Sequence, residues 1–72
     1  MSTIVRLNID KILKEYNLSQ DQLANLSGVR QAAISEMSRN KRAKIELAHL
    51  EKIAKALNIT DISKLISLEK EI

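Results

Sequence analysis

Apolar residues recur along most of this chain at spacings of three and four, the signature of helices that each bury one face. Ile9, Ile12, Leu13 and Tyr16 stand at i, i+3, i+4 and i+7 and predict a first helix. Asn8 is placed to cap it, and Asp10 lies near the positive end of its dipole. Asn17 is a stop, because asparagine tolerates the left-handed conformation that often ends a helix. Next, Ser19 with Gln22 reads as a capping box, with Leu18 and Leu23 as its hydrophobic staple. The helix that starts there meets Gly28, the only glycine in the chain, where a positive φ is cheapest and a sharp turn is implied.

After that turn Val29, Ala33, Ile34 and Met37 form a further stripe, ended by Arg39-Asn40-Lys41-Arg42, where Asn40 again permits a left-handed turn. Leu47, Leu50, Ile53, Ala54 and Leu57 mark a longer helix that stops at Asn58, with Ile59 packing back on its last turn. Thr60 or Asp61 then caps a last short helix carrying Ile62, Leu65 and Ile66. The pattern therefore predicts an all-α fold of five helices. Towards both ends the period changes: Val5, Leu7 and Ile9 alternate with Arg6 and Asn8, and Ile66 and Leu68 with Ser67 and Glu69. That is strand periodicity, and it allows a short two-stranded ribbon between the termini.

Composition narrows the function classes. At 72 residues the chain reads as one domain, 1–72, with a small core. With no cysteine and one histidine it offers neither a disulfide framework nor a metal-ligand set, so no metal and no cofactor are expected. No apolar run approaches a membrane span and the N-terminus does not read as a secretory signal, so a soluble, cytoplasmic protein with no membrane partner is expected. One His, no Cys and no Gly-rich phosphate loop leave no nucleophile with a base and an orienting group, which argues against an enzyme. Tyr16 and His49 suggest no chemistry of their own.

The net charge of +3 conceals its distribution. Residues 1–29 are neutral and residues 45–72 carry one net negative charge, whereas Arg30, Arg39, Lys41, Arg42 and Lys44 face only Glu36 within residues 30–44. A basic patch confined to one stretch is the footprint of a polyanion binder, although a solvated loop has the same composition. The absence of Phe and Trp disfavours a stacking platform for single-stranded RNA.

Residues 19–38 form one unit: a short helix, a tight turn at Gly28, and a second short helix. Helices joined so closely need a very small residue near their crossing, and Ala24 stands there. Leu23, Val29, Ile34 and Met37 are spaced to fill the wedge between them. Gln31, Ser35 and Glu36 are left outside, a polar edge flanked by arginine and lysine that suits a major groove about 12 Å wide.

The run Leu18-Ser19-Gln20-Asp21-Gln22-Leu23-Ala24-Asn25-Leu26-Ser27-Gly28-Val29, followed by Ile34-Ser35 and later by Leu50-Glu51-Lys52-Ile53-Ala54-Lys55-Ala56-Leu57, resembles the Cro and phage-repressor helix-turn-helix family, also called the xenobiotic-response-element (XRE) family. The opening Val5-Arg6-Leu7-Asn8-Ile9-Asp10-Lys11-Ile12-Leu13 looks like a small stand-alone branch of it. The resemblance implies a compact five-helix, lambda-repressor-like DNA-binding domain and a prokaryotic or phage transcriptional regulator. Family members are often repressors and often dimers, so the partners it implies are double-stranded DNA and a second copy in a homodimer.

By position, the resemblance assigns Gln20 to the DNA backbone, Gln31, Ala32, Ser35 and Glu36 to base reading, and Arg39, Asn40, Lys41 and Arg42 to a phosphate clamp that Arg30 and Lys44 extend. Gln31 is the first choice, since a Gln amide both donates to and accepts from adenine. Ala32 suits a thymine methyl, and Glu36 either accepts from cytosine or pairs with a neighbouring arginine. Arg30 stands where the family usually caps the recognition helix with Ser or Thr, at a loss of roughly 1 kcal/mol. The alternative is a protein-interaction module on the same fold, antitoxin-like or anti-repressor, and its mark would be a large apolar face left over near Leu68 and Ile72.

Overall fold

Antiparallel pairing of the first and last elements frames the fold in the computed structural model, which describes residues 2–40 and 44–71, the Glu71 side chain excepted. Strand β1, Ser2–Leu7, runs against β2, Ile66–Glu71, in a register from Ser2 opposite Glu71 to Leu7 opposite Ile66. Between them lie α1 (Ile9–Glu15), α2 (Gln20–Ser27), α3 (Gln31–Ser38) and α4 (Leu47–Leu57), then a single 3-10 turn at Ile62–Lys64.

The five-helix expectation is thus corrected: the described residues hold four α-helices and a ribbon. The physical reason lies in Asp61. Its carboxylate accepts from the Ser63 N–H (3.0 Å) and hydroxyl (2.8 Å), which favours a tight local turn over a continuing helix. Those bonds, the hydroxyl first, and the nearby Lys64 hold the Asp61 carboxyl below its ordinary value of 3.8. Leu65 then drops into the core and Ile66 begins β2.

Stripe residues from every helix build the core. Ile9 and Ile12 of α1, Leu23 of α2, Ile34 and Met37 of α3, Ile53 of α4 and Leu65 are essentially excluded from solvent, each side chain contributing about 1.5–3 kcal/mol of burial. Leu7, Val29, Ala33 and Leu50 complete the cluster, and Leu18, Ala24 and Ile59 pack on its margin. Two apolar positions assigned to helix stripes do not join it, since Leu47 and Ile62 are exposed. Asn17, Asn40 and Asn58 all adopt positive φ near 55°, so each ends its helix as asparagine permits. Asn8 precedes α1 but makes no capping bond, and its amide is turned towards the Ser63 carbonyl at 3.5 Å.

Candidate nucleic-acid interface

The start of α2 is fixed reciprocally. The Gln22 N–H donates to Ser19 Oγ (3.1 Å) and the Ser19 N–H to Gln22 Oε1 (2.8 Å), satisfying two N–H groups the helix cannot pair internally. Its end is fixed as firmly. Ser27 Oγ donates to the Leu23 carbonyl (2.7 Å) and accepts from the Val29 N–H (3.2 Å), while the Gly28 N–H reaches the Ala24 carbonyl (2.9 Å). Gly28 has φ +78°, and a Cβ built there would meet nothing within 4 Å, so glycine serves the backbone conformation and not a close approach. Val29 is buried and anchors the turn.

Helix α3 is held from one side. Ala33, Ile34 and Met37 face the core, whereas Gln31 and Ala32 are exposed and Ser35 and Glu36 half-buried. Arg30 occupies the N-cap position in extended conformation with no side-chain capping bond, and is exposed. At the other end Arg39 is exposed. Behind it the Ser38 hydroxyl donates to the Asp10 carboxylate, tying α3 to α1.

Asn40 does structural work that its position in the sequence does not reveal. Its Oδ1 accepts from the Leu7 N–H (2.6 Å) and its Nδ2 donates to the Leu7 carbonyl (3.2 Å), joining the end of α3 to β1. The sequence carries no signal for so remote a pairing. Lys44 is exposed and Gln20, the first residue of α2, is half-buried. Lys41 and Arg42 lie outside the described residues. Arg30, Ala32 and Glu36 come together with Glu46 and His49 of the α4 start around a polar cleft of about 460 Å³. Sequence reading missed Glu46 and His49 as neighbours of this edge. Their spacing of three signals only their contact with each other, His49 Nε2 lying 3.3 Å from Glu46 Oε2, and the sequence carries no signal for their place beside α3.

A capped helix, a glycine turn and a second helix with a polar, arginine-flanked outer edge define a helix-turn-helix protein of the DNA-binding class. The sequence model of the Cro/C1-type HTH DNA-binding domain matches residues 8–71, and the chain belongs to that family, one of DNA-binding domains and not of enzymes. Among solved structures it is similar to the transcriptional regulator VanUg (crystal form II), with a TM-score of 0.74 and 22% identity over 99% of this chain and 92% of that one. At that identity the likeness is one of fold. No curated protein matches the chain. Among the described residues, no helix is long and apolar enough to cross a membrane, and no group of three His, Asp or Glu could hold a metal ion.

Proposed function

We propose that residues 1–72 act as one unit, with the helix-turn-helix at about 19–38, that binds duplex DNA sequence-specifically by inserting α3 into the major groove and represses transcription by occluding its site. The observation that carries this reading is the division of α3, whose inner residues are buried while Gln31 and Ala32 face outward between two exposed arginines. Gln31 reads an adenine, Ala32 contacts a thymine methyl, and Ser35 and Glu36 complete the reading edge. Arg30, Arg39, Lys41, Arg42 and Lys44 neutralise phosphates, with Gln20 on the backbone of the same groove. Asn40, held by its two bonds to the Leu7 backbone, joins the backbone contacts at the end of α3. The protein then works on chromosomal DNA in the cytoplasm and needs no cofactor.

The test is a binding selection from a random duplex library with the purified chain, followed by titrations across salt. Log affinity should fall linearly and steeply with log salt, and a flat plot would count against phosphate engagement. Gln31→Ala should lose ~1–3 kcal/mol at one base position and leave nonspecific binding unchanged. Equal loss on every sequence would refute its role. One observation favours the protein-interaction alternative: Leu68, on the ribbon, is exposed, whereas Ile72 lies outside the described residues.

A further inference from the structure

Helix α2 leaves one large apolar side chain in water. Leu26 stands three residues beyond Leu23 and continues its stripe, yet Leu23 is fully buried while Leu26 is 57% exposed. Helix α4 packs along α2, and where it passes Leu26 it presents Lys52, Lys55 and the small Ala56 in place of a large apolar residue. With Leu26 and Ser27 these three line a groove of about 430 Å³ between the two helices. The groove shares no residue with the cleft beside α3, nor with the reading positions Gln31, Ala32, Ser35 and Glu36.

Its cations are unmatched. Lys52 and Lys55 are exposed neighbours three residues apart on α4, and neither forms an ion pair. Glu51 precedes Lys55 by four residues, the favourable order for a helical pair, but it lines a different groove with Leu47 and Leu50. Like charges about one turn apart repel, so an anion set between the two lysines removes a cost as well as adding an attraction. Lysine stems can shield apolar surface, yet here more than half of Leu26 stays uncovered.

We propose that this groove docks an acidic amphipathic helix of a protein partner, its apolar side chains on Leu26 and its carboxylates on Lys52 and Lys55. Charge and shape together select that occupant. A trough between two packed helices suits helix-in-groove recognition, in which apolar anchors recur at i and i+4. Anchors so spaced stand ~6 Å apart and straddle Leu26, while the lysines, ~4.5 Å apart along α4, each meet a carboxylate of the flanking turns. A nucleic acid matches the groove poorly. A phosphate track needs no apolar centre, and with no aromatic side chain the groove has no platform for an unpaired base. Five lining residues, against the ~20–30 of a standard interface, place the contact in the weak, transient class. The proposal stands apart from the DNA-binding reading and uses a different face.

Amide proton–nitrogen NMR of the full chain tests it. The probe is a synthetic helical peptide of ~14 residues, about four turns, with leucines at i and i+4 flanked by glutamates. A peptide of the same composition in scrambled order is the control for charge alone. The acidic helix should move the amides of Leu26, Ser27, Lys52, Lys55 and Ala56 in a saturable way, and the scrambled peptide should not. Leu26→Gln should weaken the peptide about tenfold, as loss of a buried leucine anchor does. Lys52→Glu with Lys55→Glu should abolish its binding and confer binding of the same helix carrying lysines in place of its glutamates. Should that double variant fail to fold, Leu26→Gln decides.

No shift in the groove, equal shifts with the scrambled peptide, or unchanged affinity in Leu26→Gln would overturn the proposal. So would a loss of stability without loss of peptide affinity in Lys52→Gln with Lys55→Gln, which would assign the lysines to the negative end of α2. Duplex DNA that moves Lys52 and Lys55 where the peptide does not would assign them to phosphate and overturn it as well. A chain that ignores the peptide and binds duplex through α3 leaves the DNA-binding reading untouched, and one that binds the peptide in the groove without duplex affinity overturns that reading alone.

Discussion

Replacing Asn40 with glycine should cost the domain about 2 kcal/mol, because two hydrogen bonds to the Leu7 backbone are lost, each worth about 1 kcal/mol net. Glycine accepts the positive φ of 56° at this position, so that variant isolates the bonds from the backbone conformation. Asn40→Ala adds left-handed strain of ~1 kcal/mol, for about 3 kcal/mol in all. A chain of 72 residues has total stability of roughly 4–11 kcal/mol, so either change is large. Urea unfolding followed by far-UV circular dichroism is the assay. With an m-value of about 1 kcal/mol/M, the midpoint should fall by about 2 M for glycine and about 3 M for alanine, with m unchanged. Asn40→Asp keeps the acceptor for the Leu7 N–H and loses the donor, and should fall between the wild type and glycine. A glycine variant within about 0.5 kcal/mol of wild type would refute the reasoning, since bonds to a solvated backbone contribute that little.

Three further outcomes follow from local geometry. Ser19→Ala should lose about 1 kcal/mol in the same urea assay through the broken capping box, and a neutral change would mean α2 is positioned by packing alone. The Asp61 carboxyl is held below its ordinary value, so what it contributes is complete above pH 3.8 and is lost as pH falls through the lowered value. Asp61→Asn should therefore flatten the acid limb of a stability-against-pH curve, and an unchanged limb would count against the Ser63 bonds. Arg30→Ser should raise stability by about 1 kcal/mol by capping α3, while the slope of log affinity against log salt shallows by about one. Gain of the cap without loss of slope would remove Arg30 from the phosphate contacts.

How far the sequence could be read depended on whether the deciding contact was local. The capping box at Ser19, the turn at Gly28 and the three asparagine stops each depend on residues within one turn of one another, and all are legible from residue type. The inner faces of α1, α2 and α3 were legible too, because helical spacing and burial coincide there. The fifth helix was not. Ile62, Leu65 and Ile66 fit both a helical stripe and the run into an edge strand, and what settled it was the Asp61–Ser63 turn and the pairing of Ile66 with Leu7, far away in sequence. Asn40 shows the same limit at the site: its left-handed conformation was readable, its grip on Leu7 was not.

That grip matters for how α3 carries its two tasks. The helix is secured by Ala33, Ile34 and Met37 from behind, by the Ser38–Asp10 contact and by the Asn40 turn just past its end. None of these groups is on the outer edge. Gln31 and Ala32 contribute almost nothing to packing, and Arg30 leaves a stabilising cap unmade. Changes along that edge should therefore alter recognition with stability shifts within about 0.5 kcal/mol, as surface substitutions generally do, Arg30 excepted in the stabilising direction. The reverse holds for the groups behind it: loosening them lets the reading edge shift as a body, so affinity for every sequence should fall together rather than specificity at one base.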